Sequence, residues 1–502
     1  MAASEPQGAV KTYGNWRRPQ SAGILGLGSV GTGGLIGGFV LMVIAIMVGG
    51  LVPGFIVFAL LCVAVGLVTV KDGHGRTVLQ RAAARVGWWA TRTQGEHLYR
   101  SGILGRTPWG TAQLPGIAAP TRLTEWQDSY SRPFALVESP ASGTFSVILG
   151  TDPDGAALVD EDQVNIWVAD WGNWLAALSV EPSLVAAAVT VETAPDTGTR
   201  LRREVASNLD PDAPEAATRM LQEVVDTYPA GASSVKAYVA LTFTAAPRPG
   251  ASRRKPDELA RDLASRLPGL TESLSATGAG AVHPLDAQTL CETIRIAYDP
   301  AAATLISEAH ASGQVPDLSW SDVGPVAAEA QWAGYRHDSG WSQTWEMTQA
   351  PRGIVRSSIL TSLLAPHPDV ARKRVTLLYE PVDTARAAAL VENDRHSAEF
   401  LLSASSKPSA RAIHSFRQAD KTATEEAAGA SLVNFGLLVT ATSVDPARRA
   451  DAAAVVDNLA ASARIRLRPV YGSQDSAFAA CLPLGLVLSR HMRVPAELRG
   501  KI

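Results

Sequence analysis

A few short strings in this sequence hold residue types that could do chemistry. His337-Asp338-Ser339 sets imidazole, carboxylate and hydroxyl side by side, the groups a hydrolase uses as base, orienter and nucleophile. Neighbours on a strand point to opposite faces, so these three would not converge, and a structural or interface role is expected. Gly26-Leu27-Gly28-Ser29-Val30-Gly31 matches the GxGxxG string of dinucleotide-binding proteins. That fingerprint needs a strand before it, a soluble helix after it and an acid about twenty positions on. Here an apolar run follows and the next acid is Asp72, so the glycines are expected to let membrane helices pack closely. The pairs Asp160/Asp162 and Asp210/Asp212 fall at loop ends and helix starts, where caps are expected. His367 and Asp369 alternate with Pro366 and Pro368 in what reads as a turn. The chain lacks GxxxxGK[ST], HExxH, GxSxG and an EF-hand loop, and its Gly-Lys pair is Gly500-Lys501. No catalytic residue, cofactor or metal site is expected, and hence no enzymatic activity.

Composition narrows the class. A chain of 502 residues with 45 basic and 48 acidic side chains is nearly neutral, unlike a globally basic nucleic-acid binder. Direct nucleic-acid binding is not expected. The balance hides an asymmetry, because residues 1–100 hold nine basic and three acidic side chains. Three cysteines, Cys62, Cys291 and Cys481, form neither a disulfide framework nor a CxxC zinc site. Hydrophobic content of 46% suits a large core.

No charge occurs between Arg18 and Lys71, a run too long for one membrane helix and suited to two. Gly49-Gly50-Leu51-Val52-Pro53-Gly54 punctuates it. Residues 30–70 are therefore expected to form a transmembrane hairpin, preceded by a cytoplasmic tail over 1–29. The run is twice the length of a signal-peptide core, which argues against cleavage. Basic flanks on both sides place both termini in the cytoplasm of a multi-pass plasma-membrane protein. The membrane-interface candidates are Trp16, Arg17, Arg18, Lys71, Arg76, Arg81, Arg85, Trp88 and Trp89. Residues 76–92 can form a basic amphipathic helix on anionic headgroups or an ordinary solvated helix.

Residues 71–124 read as that helix plus a Pro/Gly connector, and from about 125 short β-rich runs alternate with helical patterns. The expected fold class is α+β: the hairpin followed by two ferredoxin-like (split βαβ) cytoplasmic units over 125–300 and 301–502. Within the first, Trp167, Trp171 and Trp174 recur at helical spacing, which suits core packing or a partner-binding face.

Several strings then become familiar. Tyr13-Gly14-Asn15-Trp16-Arg17-Arg18-Pro19, Gly95-Glu96-His97-Leu98-Tyr99-Arg100-Ser101-Gly102, Tyr335-Arg336-His337-Asp338-Ser339-Gly340, Leu364-Ala365-Pro366-His367-Pro368-Asp369 and Arg374-Val375-Thr376-Leu377-Leu378-Tyr379 resemble a family of actinobacterial integral membrane proteins from conjugation-type (type IV-like) secretion clusters. Tyr471 to Gly485, with Phe478 and Leu482-Pro483-Leu484-Gly485, resembles the junction where the N-terminal domain of Gram-positive conjugation ATPases meets the motor. The two apolar helices resemble the small inner-membrane subunit sometimes fused to that ATPase.

The resemblance implies a small membrane subunit joined to an ATPase N-terminal domain without its motor. The implied function is a non-catalytic membrane scaffold that docks a separately encoded motor ATPase and other secretion subunits. Membrane lipid and further copies of the chain are the other implied partners. Two alternatives stay open: an EccE-like subunit of a type VII secretion translocon, and a membrane-tethered enzyme.

Overall fold

Gly50 breaks the long apolar run. It takes φ +82°, a left-handed conformation that glycine adopts without a Cβ penalty. It separates α1 (Gly28–Gly49) from α2 (Leu51–Thr69). The computed structural model describes residues 11–14, 16, 28–70, 72–102, 105, 107, 111–153, 155, 158–210, 212–227, 233–246, 253–351, 353–403 and 407–492.

The chain divides into two compact units. One comprises Asn15–Gly95, Leu390–Ala423 and Leu488–Ile502; the other comprises Met1–Gly14, Glu96–Ala389 and Thr424–Val487. In the first, α1 and α2 touch through glycines: Gly38 lies against the Leu61 side chain and Gly54 against Ile46. The helix α3 (Val78–Thr93) follows. A capping box starts it, with Thr77 Oγ1 accepting from the Gln80 amide and Gln80 Oε1 accepting from the Thr77 amide.

By length and composition, one helix among the described residues qualifies as a membrane span, over Thr32–Gly49, and none of it is buried. The apolar part of α2, Leu51–Leu67, is shorter. At 1.5 Å per residue it rises about 25 Å, less than a ~30 Å hydrocarbon core. The multi-pass topology with both termini cytoplasmic is thereby corrected.

The second unit carries every strand among the described residues. In chain order they are β1 (Leu98–Arg100), β2 (Arg122–Gln127), β3 (Pro133–Ser139), β4 (Thr144–Asp152), β5 (Leu184–Pro195), β6 (Ser233–Thr244), β7 (Ala281–Pro284), β8 (Ala327–Ala330), β9 (Tyr335–His337), β10 (Gly340–Gln349), β11 (Arg372–Pro381), β12 (Val433–Ser443) and β13 (Arg466–Pro469). In chain order the helices after α3 are α4 (Glu161–Leu178), α5 (Thr199–Asn208), α6 (Glu215–Thr227), α7 (Pro256–Leu274), α8 (Ala287–Tyr298), α9 (Ala302–Ala311), α10 (Thr361–Leu364), α11 (Thr384–Ser403), α12 (Ala410–Ala427), α13 (Arg449–Ser462), α14 (Gln474–Ala480) and α15 (Leu488–His491); α15 and most of α11 and α12 fall in the first unit.

All thirteen strands join one antiparallel sheet, ordered β1-β8-β9-β10-β12-β11-β5-β6-β4-β3-β2. Its two halves repeat one pattern. The first part of β4 pairs with β3 and the rest with β7; β10 pairs in the same way with β9 and β13. β6 then lies between β4 and β5, as β12 lies between β10 and β11. The halves meet where Ala187–Thr193 of β5 pairs with Lys373–Tyr379 of β11.

This corrects the expected fold class. The thirteen strands form one continuous sheet accompanied by fifteen α-helices among the described residues, not a two-helix hairpin followed by two small ferredoxin-like units. The β5–β11 ladder is the reason, since it leaves neither half an edge at which to close off as a unit.

Strand side chains alternate between faces, and the two faces differ. On one face Val147, Leu149, Val239, Leu241 and Phe243 bury against Trp174, Leu178, Leu259 and Leu263 of α4 and α7. The matching half packs Trp345, Val375, Leu437 and Val439 on Val456 and Ala460 of α13. The opposite face is also buried and mixes Ser, Thr, Arg and Glu side chains with Ile148, Ala240 and Leu438.

Candidate functional site

The polar face begins at the seam between the halves. Arg374 and Glu192 are direct cross-strand partners, and Arg372 lies two residues along β11 on the same face. Arg374 Nε donates to Glu192 Oε2 at 2.8 Å, and Arg372 donates to Glu192 Oε1. All three side chains are nearly inaccessible to solvent. Burial alone would raise the Glu192 pKa; the guanidiniums of Arg374 and Arg372 outweigh it and hold the carboxyl at about 2. The Arg374 guanidinium also faces the Phe478 ring, 5.7 Å from its centroid.

From this ion cluster a set of hydroxyls extends across both halves. Thr190 pairs with Thr376 at 3.0 Å across the seam. Thr344 pairs with Thr440 at 2.9 Å and Ser342 with Thr442 at 2.7 Å in the second half. Ser146 pairs with Thr242 at 3.0 Å at the corresponding place in the first. Each is buried, and each meets its hydrogen-bonding requirement from a neighbouring strand.

His337 joins the end of this array. A carbonyl can only accept, so His337 Nδ1–H donates to the Tyr298 oxygen at 2.6 Å. Nε2 therefore accepts from Ser342 Oγ at 2.7 Å, and Thr442 donates to Ser342. Burial pushes the His337 pKa down to about 4, against the opposing pull of the Tyr298 carbonyl, so the ring is neutral at pH 7. The Ser342–His337 geometry has the form of a nucleophile and base, but both side chains have zero exposure. What it can do is fix β9 and β10 to α8. Asp338 and Ser339 point elsewhere. Asp338 accepts from the Val326 and Ala327 amides and pairs with Arg295, while Ser339 donates to Asp299 at 2.5 Å.

The cover over this face is the chain's own closing segment. Gln474 Oε1 accepts from the Thr344 amide at 2.8 Å and its Nε2 donates to the Thr344 carbonyl at 3.0 Å, a two-bond clamp on β10. Phe478 packs among Tyr298, Tyr335 and His337. Thr376 Oγ1 donates to the Cys481 carbonyl at 3.4 Å. Gly485 then lies on the first half: its carbonyl accepts from Thr242 at 3.0 Å, Ser146 donates to Thr242, and the Ser146 hydroxyl lies 3.4 Å from the same carbonyl. Gly485 has φ +64°, and a Cβ there would collide with both hydroxyls. Leu482-Pro483-Leu484-Gly485 thus spans a face shared by both halves.

Within the sheet unit, Tyr13 is also held against the fold. Tyr13 and Val355 exchange backbone hydrogen bonds at 2.8 Å, and the Tyr13 hydroxyl donates to Asn165 at 3.0 Å.

The tryptophan stripe of α4 faces the chain's own interior. Trp174 is buried, Trp171 stacks on it with centroids 4.8 Å apart, and Trp167 covers Gly278. Trp171 also meets Tyr379 of β11 edge-on at 6.0 Å.

Of the membrane-interface candidates, Arg17, Arg18 and Lys71 lie outside the described residues. Trp16 is half-buried, as is Trp88. Arg76 donates its amide to Asp72 Oδ1 at 3.0 Å, ahead of α3. Arg81 lies 3.9 Å from the same carboxylate, and Arg81, Arg85 and Trp89 are exposed along α3. A family model described as Domain of unknown function (DUF8461) matches residues 20–80, the apolar region through the first turn of α3. No curated protein matches the chain.

The Glu192–Arg372–Arg374 cluster and the hydroxyl array went unnoticed in the sequence. The available clue was the alternation of Thr, Arg and Glu with aliphatic residues in 187–193 and 372–378, which ordinarily marks a solvated face.

Proposed function

We propose that this chain is a membrane-tethered, non-catalytic scaffold subunit of a conjugation-like secretion machine. Its sheet unit docks a separately encoded motor ATPase. The observation that supports the tether is the Thr32–Gly49 helix, long and apolar enough for a bilayer and wholly unburied by the protein.

The sheet unit suits a docking role because most of its polar interior is paired within the unit, although Arg372 Nε and Arg374 Nη1 are buried without a partner among the described residues. The hydroxyls pair with one another, Glu192 is held by two arginines, and the closing segment seals them. Such a network makes a rigid platform that changes little when a partner seats on it. The machine is identified by resemblance alone, through Tyr335–Gly340, Arg374–Tyr379 and the Phe478-to-Gly485 closure.

Two measurements on the full-length protein test the reading. Alkaline carbonate extraction should leave it in the membrane pellet. The purified chain should turn over no ATP above a buffer blank. Release into the carbonate supernatant would remove the tether, and ATP hydrolysis by the chain alone would remove the scaffold role.

A further inference from the structure

The helix α3 has no buried residue, and its exposed surface is sorted by chemistry. Leu79, Val86 and Trp89 recur at spacings of seven and three and form one apolar stripe, 52, 65 and 67% exposed. Arg81, Arg85 and Arg92, all exposed, share the adjoining face, and the helix carries no acid. Its capping box fixes the first turn before anything binds, which lowers the ordering cost of docking.

We infer that α3 is a second membrane contact: it lies along an anionic lipid surface, with Leu79, Val86 and Trp89 entering the acyl boundary and Arg81, Arg85 and Arg92 pairing with lipid phosphates. This rests on the tethering reading above. Two features select lipid as the occupant. The helix itself carries only basic charge, complementary to anionic headgroups, with Asp72 ahead of it 3.9 Å from Arg81. The helix also follows the tether in the chain: α1, the candidate span, turns at Gly50 into the shorter apolar α2, and α3 begins nine residues after α2 ends, which keeps α3 near the apolar region. An amphipathic helix with arginines flanking a Leu/Val/Trp stripe is suited to that depth.

The test uses the full chain with Cys62 replaced by Ser, reconstituted into phosphatidylcholine vesicles with or without 30% phosphatidylglycerol. Spin labels are placed singly at Val86→Cys in α3 and Val43→Cys in α1. Collision with oxygen reports lipid, and collision with a nickel chelate reports water. In the anionic vesicles the residue-86 label should favour oxygen; in phosphatidylcholine alone, or in high salt, it should return toward water. Each of R81Q, R85Q and R92Q should lower the embedded-to-exposed ratio roughly fivefold, and together about a hundredfold.

A water-exposed label at 86 beside a lipid-embedded label at 43 would overturn the inference and leave the tether standing. Labels at both positions in water would overturn the tether itself. Equal embedding at 86 with and without phosphatidylglycerol would overturn the anionic selectivity. A label at 86 shielded from both reagents would show the stripe covered by protein, a partner or a second copy, and would likewise overturn it.

Discussion

Replacing Glu192 with Gln should loosen the seam that makes one sheet of two halves. The substitution keeps the shape and removes the charge that two buried guanidiniums share. Two routes give the magnitude. The carboxyl is held at about 2 against an ordinary 4.5, and that difference corresponds to about 3 kcal/mol of native-state preference for the charged form. Breaking a buried ion pair by deleting one partner typically costs about 3–5 kcal/mol, because the remaining charge stays buried. Hydrogen exchange localises the effect. Amides of Ala187–Thr193 and Lys373–Tyr379 should lose about two to three powers of ten in protection. The triple variant Glu192→Leu, Arg372→Leu, Arg374→Met should regain most of the loss, since an apolar layer of similar volume has no charge to strand. Unchanged protection in Glu192→Gln, or a triple variant worse than the single one, would refute the reasoning.

Further expectations follow from the same face. Gly485→Ala should cost about 2–4 kcal/mol in urea unfolding, from left-handed strain plus collision with Ser146 and Thr242. Gly436→Ala, where a Cβ meets nothing within 4 Å, should stay within about 0.5 kcal/mol. His337 is held neutral with its pKa near 4 against an unfolded 6.5, so the unfolded state binds more protons between those values. Stability should be complete above pH 6.5 and fall by about 3 kcal/mol toward pH 4, and His337→Gln should flatten that slope. The Glu192 contribution has a lower window, lost as pH falls from about 4.5 through 2. Phe478→Ala should cost about 3–5 kcal/mol by removing the ring shared by Arg374, His337, Tyr298 and Tyr335, measured by the same unfolding assay.

Local patterns carried much of the element order. The alternation in Val235–Ala245 reads as a strand, and β6 covers Ser233–Thr244. The apolar spacing from Val164 to Leu178 reads as a helix, and α4 covers Glu161–Leu178. The reach of the sheet was not legible, because nothing near residues 187–193 specifies a partner some 190 positions later. Register of that kind is set by tertiary complementarity: here Glu192 opposite Arg374 and Thr190 opposite Thr376. The three- and four-residue strands β1, β8 and β9 were also missed, since so few residues show no period. The polar face misled for a related reason. Thr, Arg and Glu in alternate positions predict water, whereas the Gln474–Val487 segment excludes it. His337 illustrates both points, for its partner is Ser342, on the next strand, rather than the adjacent Asp338 and Ser339.

The mass and composition of the particle purified from its native host in mild detergent tests the central claim most directly. The expected result is a discrete complex that holds this 52.8 kDa chain and a P-loop motor ATPase in fixed stoichiometry, retained when the sheet unit is intact and lost in Glu192→Gln. A particle containing the chain alone, with no ATPase at any detergent concentration that keeps it folded, would contradict the scaffold account.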